Sequence, residues 1–329
     1  MKKIFLALAA SAFIILTGCT AKTNYPVSDT EFLLNTVSTI DIYACTGDRP
    51  DVIIDDCFKY IKGLENELSR TVKSSEISLL NANGGGNISD DTLYIIEKSL
   101  NYSRLTEGAF DITIGEVSAL WDFTSGENIV PSETDIEKAL ASVGYENIEI
   151  GGGKVSLKNG AQLDLGAIAK GYIGDKAAQF LKERGVTSAI INLGGNIVTI
   201  GDNNGKPFRI GIQSPTAETG EYIGVLDLED KTAVTSGAYQ RFFVKDGIIY
   251  HHILDPKTGY PAQSDIASVT IVADNSTDAD ALSTSCYILG TERALELINS
   301  LDYAEAVIVT DSGEVLLSDY AGQYYEEIE

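Results

Sequence analysis

The chain has 329 residues, of which 44% are hydrophobic and 22% charged, and its formal net charge is −24. This composition is typical of a globular protein, and the length suits either two domains or one large domain. The negative charge repels phosphate backbones and anionic lipid headgroups. It therefore argues against a nucleic-acid partner and against electrostatic adsorption to a membrane.

Histidine and cysteine are too scarce for most metal centres. The chain has two histidines, His251 and His252, and four cysteines without a Cys-x-x-Cys pair. A zinc, haem or iron–sulfur site is therefore not expected. The surplus of carboxylates favours a hard cation with oxygen ligands, Mg²⁺ before the others. Cys45 and Cys57 could form a disulfide in an oxidising compartment, although buried free thiols fit equally well.

The N-terminus reads as a targeting segment. Lys2 and Lys3 precede an apolar stretch that ends in Leu16-Thr17-Gly18-Cys19, which resembles a bacterial lipobox. We expect residues 1–18 to be a lipoprotein signal peptide, Cys19 to carry the lipid anchor, and residues 19–30 to be its tether. The protein would then sit on the extracytoplasmic side of the cell membrane. An ordinary secretory signal with an incidental cysteine is the alternative.

The elements of the folded part, which should begin near Glu31, are predicted from residue periodicity. Alternation over residues 32–44 predicts a first strand, and helical spacing predicts helices at 50–68 and at 89–105, the second capped by Ser89. Further helices are predicted at 168–184, 277–289 and 292–301. Strands are predicted at 189–200, 208–213, 222–228, 240–250 and 266–273, with hairpins at 148–157 and 306–317. The irregular mixture predicts an α+β fold with mixed or antiparallel sheets and no firm domain boundary.

The stretch Asp164-Leu165-Gly166-Ala167-Ile168-Ala169-Lys170-Gly171 is a small-residue turn that enters a helix. Small residues let the backbone approach a ligand closely, and the helix N-terminus offers free N–H groups to an anion. Lys170 adds a positive charge one turn later. A glycine-rich N-cap with a solvated lysine is the plainer interpretation of the same residues.

Two further segments could carry chemistry. Asp280 and Thr284 lie four residues apart, so on a helix their oxygens share a face and could bind Mg²⁺, although acidic residues at a helix start also favour the helix dipole. The histidines adjoin the turn Asp255-Pro256-Lys257-Thr258-Gly259, which makes one of them a candidate proton acceptor or else a structural residue. Aromatic surface between Phe110 and Trp121 could stack on a planar ring or simply pack in the core.

These segments occur in one known order. The motifs are AFDIT with a following LW, DLGAIAKGY, NLGGN, SGAYQR, HILDPKTGYP and DADALSTS, and together they resemble the FAD:protein FMN transferase (ApbE) family over about residues 31–320. The resemblance implies a single α+β domain that binds FAD and Mg²⁺. Such an enzyme moves FMN onto a Thr or Ser hydroxyl of a flavoprotein and releases AMP.

The resemblance also assigns residues. It implies that the Ala167 carbonyl, Asp280 and Thr284 hold the metal, with Ser283 at a position that can carry a further ligand. The implied FAD contacts are Ala109, Phe110, Asp111, Asp164, Lys170 and Ile253. Leu34 and Thr71 depart from the residues that the family often has, yet they should still line the pocket. We expect Lys170 to offset phosphate charge and His252 to take the proton of the acceptor hydroxyl.

Two other functions share these residues. An FAD pyrophosphatase would use water instead of a protein hydroxyl and release free FMN and AMP. A flavin-binding lipoprotein would hold FAD without chemistry, but it would not need a metal beside the scissile bond. For the transferase, the expected acceptors are extracytoplasmic flavoproteins, such as subunits of ion-pumping oxidoreductases.

Overall fold

The computed structural model describes residues 26–46, 49–121, 123, 127–215 and 220–328. The predicted signal peptide and Cys19 lie outside the described residues. Strand β1 begins at Val27, so the folded part includes residues that we had assigned to the tether. No described helix combines the length and the apolar character that are needed to cross a bilayer.

The described residues form mixed helices and sheets. The helices are α1 (Pro50–Leu68), α2 (Glu76–Asn83), α3 (Asp90–Leu105), α4 (Gly115–Leu120), α5 (Glu133–Leu140), α6 (Ala169–Glu183), α7 (Ser276–Leu289) and α8 (Thr291–Asn299). The strands are β1 (Val27–Leu33), β2 (Thr36–Cys45), β3 (Gly85–Asn87), β4 (Ile148–Gly151), β5 (Lys154–Leu157), β6 (Val186–Leu193), β7 (Asn196–Ile200), β8 (Phe208–Gln213), β9 (Tyr222–Leu228), β10 (Thr232–Gly237), β11 (Phe242–Lys245), β12 (Ile248–His251), β13 (Ile266–Ala273), β14 (Ala304–Thr310), β15 (Val315–Leu317) and β16 (Tyr325–Glu327).

A large antiparallel sheet organises the molecule, in the order β1-β2-β6-β7-β10-β13-β14-β15. Successive residues of a strand face opposite sides of a sheet. On β10, Val234 belongs to the main core with α1, α6 and α7, while its neighbour Ala233 packs with the smaller sheet β16-β9-β8. The large sheet is therefore covered by helices on one face and by a second sheet on the other, and its central strands are apolar on both faces.

The predicted fold class is confirmed, and the long helices lie close to their predicted bounds. Ser89 caps α3 by accepting a hydrogen bond from Thr92 N–H. The glycines at 152 and 153, with φ of 59° and 73°, make the turn between β4 and β5. Cys57 is a buried free thiol on α1, so the disulfide with Cys45 is absent.

Three segments that we predicted as single strands are hairpins. Residues 32–44 turn at Leu34 and Asn35, which both have a left-handed backbone with φ of 55° and 56°. Residues 189–200 turn at Gly194 and Gly195, and residues 240–250 turn at Asp246 and Gly247. Positive φ at both central residues gives the turn that matches the twist of paired strands. Helices α2, α4 and α5 and strand β10 were not predicted.

Candidate functional site

Loops at the ends of these elements surround one large cavity. Its volume is about 1220 Å³, above the roughly 300–1,000 Å³ of ordinary small-ligand pockets, which suits a large ligand. Nearly all of the predicted site residues line it: Leu34, Thr71, Ala109, Phe110, Asp111, Asp164, Ala167, Lys170, His252, Ile253, Asp280 and Thr284. These residues are far apart in the sequence, from Leu34 to Thr284. The fold therefore brings the separate motifs together around one cavity.

The contact between α6 and α7 at Gly171 places the central charges of the cavity. Gly171 N–H donates to Asp280 Oδ2 at 2.8 Å. A Cβ at Gly171 would lie 2.1 Å from the carbonyl oxygen of Ser276, so only glycine permits this approach. Lys170, the preceding residue, also lines the cavity, and it is near enough for its charge to act on the Asp280 carboxylate.

Asp280 is a nearly buried carboxylate, with 3% of its surface exposed. Burial raises its pKa, and the nearby charge of Lys170 opposes that rise. Among the described residues it forms no salt bridge. A buried anion without a paired cation that lines a cavity suits the binding of a metal ion from solution.

The predicted metal ligands fit a hard cation in their chemistry. Asp280 offers a carboxylate, Thr284 a hydroxyl and Ala167 a carbonyl, and all three residues line the cavity. Mg²⁺ is usually bound by one or two carboxylates and completes its shell with water and phosphate oxygens. The described residues hold no cluster of three or more His, Cys, Asp or Glu, so an all-protein cage of such side chains is absent there.

Ser283 does not reach the cavity. Its side chain is fully buried, and its hydroxyl bonds Ser236 Oγ at 2.9 Å and the carbonyl oxygen of Asp280 at 3.0 Å. The hydrogen bond between these two hydroxyls connects α7 to β10. The structure therefore leaves Ser283 out of the predicted metal-ligand set.

Two of the predicted FAD contacts have carboxylates that the protein already uses. Asp164 Oδ2 pairs with Arg70 Nε at 2.9 Å, and its Oδ1 accepts from Gly166 N–H at 2.9 Å. Asp111 Oδ1 accepts from the backbone and hydroxyl of Thr113, and its Oδ2 accepts from Tyr145 N–H at 2.8 Å. Burial raises the pKa of Asp111. Both aspartates thus shape the loops around the cavity, and Arg70 is a cavity residue that the motifs did not reveal.

The two histidines have different surroundings. His251 is buried, bonds the Ala262 carbonyl through Nε2 at 3.1 Å and packs edge-on against Tyr287. His252 is half-buried and lines the cavity, and its Nδ1 lies 3.3 Å from the Arg241 carbonyl oxygen. With the proton on Nδ1 for that bond, Nε2 of His252 is left as an acceptor. Of the two, His252 is the one placed to exchange a proton with a ligand.

His252 is held neutral by its surroundings. Burial and the nearby positive charges of Arg241 and Lys170 lower its pKa to about 3. Arg241 also lines the cavity, and its Nη2 donates to the carbonyl oxygen of Asn35 at 3.0 Å. Arg241 ends the motif SGAYQR, but it was not among the predicted site residues, because a motif alone does not show which of its side chains face a ligand. With Arg70 and Lys170 it places positive side chains in the cavity lining of an acidic protein, where they can attract a diphosphate.

This neutral histidine should weaken the fold in acid. The unfolded chain protonates an imidazole below about pH 6.5, whereas the folded protein does so only near pH 3, so stability is lost as the pH falls through that window. We expect His252→Asn to lose less stability than the wild type between about pH 7 and 5, measured by urea denaturation. The carboxylates titrate in both proteins and cancel in the comparison, so equal losses would contradict the placement of His252.

Aromatic side chains form one wall of the site. Trp121 and Phe123 line the cavity with stacked rings 5.9 Å apart, and Trp121 Nε1 donates to the carbonyl oxygen of Gly259 at 2.8 Å. Behind them Trp121 packs against Tyr250 and Tyr260. The aromatic surface proposed from sequence is thus a small core of its own whose edge borders the cavity, and Phe110, also at the cavity, lies in the main core.

The departures noted in the sequence lie at the cavity wall. Leu34 occupies the left-handed turn between β1 and β2, and its N–H donates to Glu65 Oε1 at 3.1 Å. Such a conformation costs about 1–3 kcal/mol in a residue other than glycine and is often found at functional sites. Thr71 is exposed and bonds Ser69 Oγ. Both residues line the cavity as expected.

Comparison with known proteins identifies the family. The model of the ApbE family matches residues 34–308. The chain belongs to the ApbE family. It is 33% identical over 306 residues to an FAD:protein FMN transferase of Treponema pallidum, covering 86% of this chain and 84% of the relative. An FAD:protein FMN transferase of Klebsiella pneumoniae is also 33% identical, over 267 residues that cover 79% of this chain and 83% of the relative.

Solved structures of ApbE proteins share the fold. The crystal structure of the ApbE protein of Thermotoga maritima superposes with a TM-score of 0.85 at 32% identity, over 92% of this chain and all of that one. The flavin transferase ApbE of Vibrio cholerae gives a TM-score of 0.81 at 26% identity, over 91% and 98% of the two chains. The predicted family, enzyme class and single-domain α+β fold are confirmed.

Proposed function

We propose that this protein transfers FMN from FAD to a Thr or Ser hydroxyl of a flavoprotein, with release of AMP and with dependence on Mg²⁺. The observation that supports it most is the hydrogen bond from Gly171 to Asp280, which sets a buried, unpaired carboxylate beside Lys170 in the large cavity. A cation that binds a diphosphate needs a negative group to hold it, such as the Asp280 carboxylate. The diphosphate itself needs a positive group nearby, such as Lys170. The relatives named FAD:protein FMN transferase support the same activity.

The reaction exchanges one P–O bond for another. The acceptor oxygen attacks the phosphorus on the FMN side of FAD, the bond to the bridging oxygen breaks, and AMP leaves with that oxygen. The hydroxyl proton is released, so the atoms balance as FAD and protein hydroxyl giving FMN ester, AMP and a proton. This chemistry depends mainly on positioning and on offsetting negative charge.

The residues of the cavity have distinct roles in this proposal. Lys170 and Arg241 attract the diphosphate, and Asp280, Thr284 and the Ala167 carbonyl would hold Mg²⁺. When bound, the cation supplies positive charge to the phosphate oxygens as negative charge moves onto the leaving group. His252 Nε2 accepts the proton of the acceptor hydroxyl. Trp121 and Phe123 offer flat surface to a ring of the FAD.

The location is part of the proposal. The lipobox ending at Cys19 supports a lipid anchor on the extracytoplasmic face of the membrane, and the acceptor would then be an extracytoplasmic flavoprotein. Residues between Cys19 and β1 are too few to hold the catalytic domain far from the bilayer. Labelling of intact cells with a lipid precursor, compared between wild type and Cys19→Ala, tests the anchor directly.

The activity is tested with residues 20–329, FAD, Mg²⁺ and a purified FMN-binding domain of an ion-pumping oxidoreductase subunit. We expect mass spectrometry to find an adduct of FMN mass on one Thr or Ser, equimolar AMP, and loss of both with EDTA. The acceptor domain with that residue changed to Ala is the matched control. Free FMN and AMP without an adduct would indicate an FAD pyrophosphatase instead, and intact FAD would indicate a flavin-binding protein.

A further inference from the structure

The β11–β12 hairpin is a separate two-stranded sheet at the edge of the cavity. Arg241 comes directly before β11 and His252 directly after β12, so two cavity residues form its base. Phe243 and Tyr250 are cross-strand partners whose rings stack at 5.3 Å, and they pack on the Trp121 cluster. This packing fixes which face of the hairpin points inward.

On the opposite face of the hairpin, His251 is buried against Tyr287, but the three apolar side chains of this face are exposed. Val244 and Ile249 are cross-strand partners with 53% and 58% of their surface exposed, and Phe242, two residues from Val244 on the same face, is 50% exposed. An antiparallel sheet with one buried face normally carries polar residues on the other. A hairpin that is apolar on both faces is typical of a surface that another protein covers.

A second exposed apolar pair lies on the β1–β2 hairpin. Phe32 and Val37 are cross-strand partners, and 70% and 61% of their surfaces are exposed. They flank the left-handed Leu34-Asn35 turn, which lines the cavity. The two hairpins are therefore alike. Each has one end at the cavity, the turn in β1–β2 and the base in β11–β12, and each carries apolar side chains that are exposed to solvent.

The two hairpins are joined at the cavity. Arg241 Nη2, from the base of one, donates to the Asn35 carbonyl oxygen, in the turn of the other, at 3.0 Å. We name the exposed side chains of both hairpins the apolar rim, which comprises Phe32, Val37, Phe242, Val244 and Ile249. The rim side chains do not line the cavity themselves, but the base of one hairpin and the turn of the other do. A macromolecule whose acceptor group enters the cavity beside these two hairpins can therefore contact the rim.

We propose that the apolar rim is the docking surface for the folded acceptor flavoprotein, which contacts it through an apolar patch next to its acceptor hydroxyl. This inference rests on the proposed transfer of FMN to a protein. A net charge of −24 disfavours a second copy of this chain and an anionic bilayer as the occupant. Apolar contact needs no charged partner groups and leaves Lys170 and Arg241 of the cavity free for the diphosphate.

The test separates docking from catalysis by using two acceptors. One is the FMN-binding domain used above, and the other is a short synthetic peptide that spans only its acceptor residue. For Val244→Asp and for Phe32→Asp we expect the KM for the domain to rise about tenfold or more, with kcat nearly unchanged. The KM for the peptide should stay at the wild-type value, because the peptide reaches the cavity without the rim.

Two further variants serve as controls. Tyr320→Asp places the same charge at an aromatic residue that is 72% exposed and lies outside both hairpins, and its KM for both acceptors should be unchanged. The double variant Val244→Thr/Ile249→Thr keeps β-branched side chains, so it maintains the hairpin if the charged variant does not fold. Its KM for the domain should rise in the same direction.

Other results would overturn the inference. Equal effects on domain and peptide would mean that the hairpins shape the active site, and unchanged KM for both would mean that the rim is not used. A wild-type dimer in sedimentation that Val244→Asp dissociates, with no change in KM for the domain, would assign the rim to a second copy. If the wild type flavinylates neither acceptor, the proposed function itself fails.

Discussion

We expect an Asp280→Asn protein to transfer FMN roughly 10²–10³-fold more slowly than the wild type, a loss typical of removing one group that stabilises charge in the transition state. Asparagine can still accept the hydrogen bond from Gly171, so the α6–α7 contact is kept while the negative charge is removed. FAD should still bind, since Lys170, Arg241 and the aromatic wall are unchanged. Turnover measured as AMP release against Mg²⁺ concentration checks this.

A matched control exists on the neighbouring turn. Asp175 is a partly buried carboxylate of α6 that accepts hydrogen bonds from Ser276 N–H and from Thr277 at the start of α7. Asp175→Asn should lower stability but keep the stabilisation by Mg²⁺ seen in thermal denaturation, because a ligand stabilises any fold that binds it. Asp280→Asn should lose that stabilisation. If Asp280→Asn kept both the turnover and the Mg²⁺ effect, the cation would have to bind elsewhere.

His252→Asn should lower the transfer rate by about 10²–10⁴-fold, the usual contribution of a general base. His252 is a weak base in the free protein because burial, Arg241 and Lys170 hold its pKa low. A bound diphosphate offsets those two charges, so the pKa of His252 should rise when FAD binds. We therefore expect the acid limb of kcat to lie at higher pH than that of kcat/KM, and both limbs to disappear in His252→Asn.

The neighbouring histidine is the control for this result. His251→Gln keeps a donor that can reach the Ala262 carbonyl, and His251 is buried against Tyr287 and away from the cavity lining. It should lower the unfolding midpoint while leaving the pH profile of transfer intact. Wild-type turnover by His252→Asn, or the same pH profile in that variant, would remove His252 from the mechanism.

The local structure was predictable where one residue pattern decides it. Ile53, Ile54, Cys57, Ile61 and Leu64 are buried along one face of α1, as helical spacing predicts. The turn at Leu34 and Asn35 was not predictable in the same way, because leucine in a left-handed conformation gives no turn signal and is stabilised by contacts from elsewhere, such as Glu65 and Arg241. The turns at Gly194-Gly195 and Asp246-Gly247, in contrast, do carry the glycine signal of a two-residue hairpin. Those two hairpins were therefore predictable from the sequence, although each was interpreted as one strand.

The motifs predicted which residues belong to the site, but not how those residues contact one another. The resemblance named Lys170 and Asp280, the position beside the Asp255-Pro256 turn suggested His252, and all three residues border one cavity. The resemblance did not reveal that the carboxylate of Asp164 pairs with Arg70, or that the carboxylate of Asp111 accepts hydrogen bonds from Thr113 and Tyr145. Contacts between distant loops depend on the fold. The resemblance also suggested Ser283, but its buried hydroxyl bonds Ser236 Oγ and the carbonyl oxygen of Asp280, which only the fold reveals.

Because glycine has no side chain, the close contact at Gly171 couples the candidate site to the packing of α6 and α7 in the core. Because α7 lies on β10 and β13 and presses α6 at that point, Asp280 has no independent freedom to move. Catalytic groups need to be held within about 0.5 Å of their working positions. We therefore expect a conservative core change that touches neither nucleotide nor cation, such as Ile271→Val, to weaken the affinity for Mg²⁺ in addition to lowering stability by about 0.5–1.5 kcal/mol.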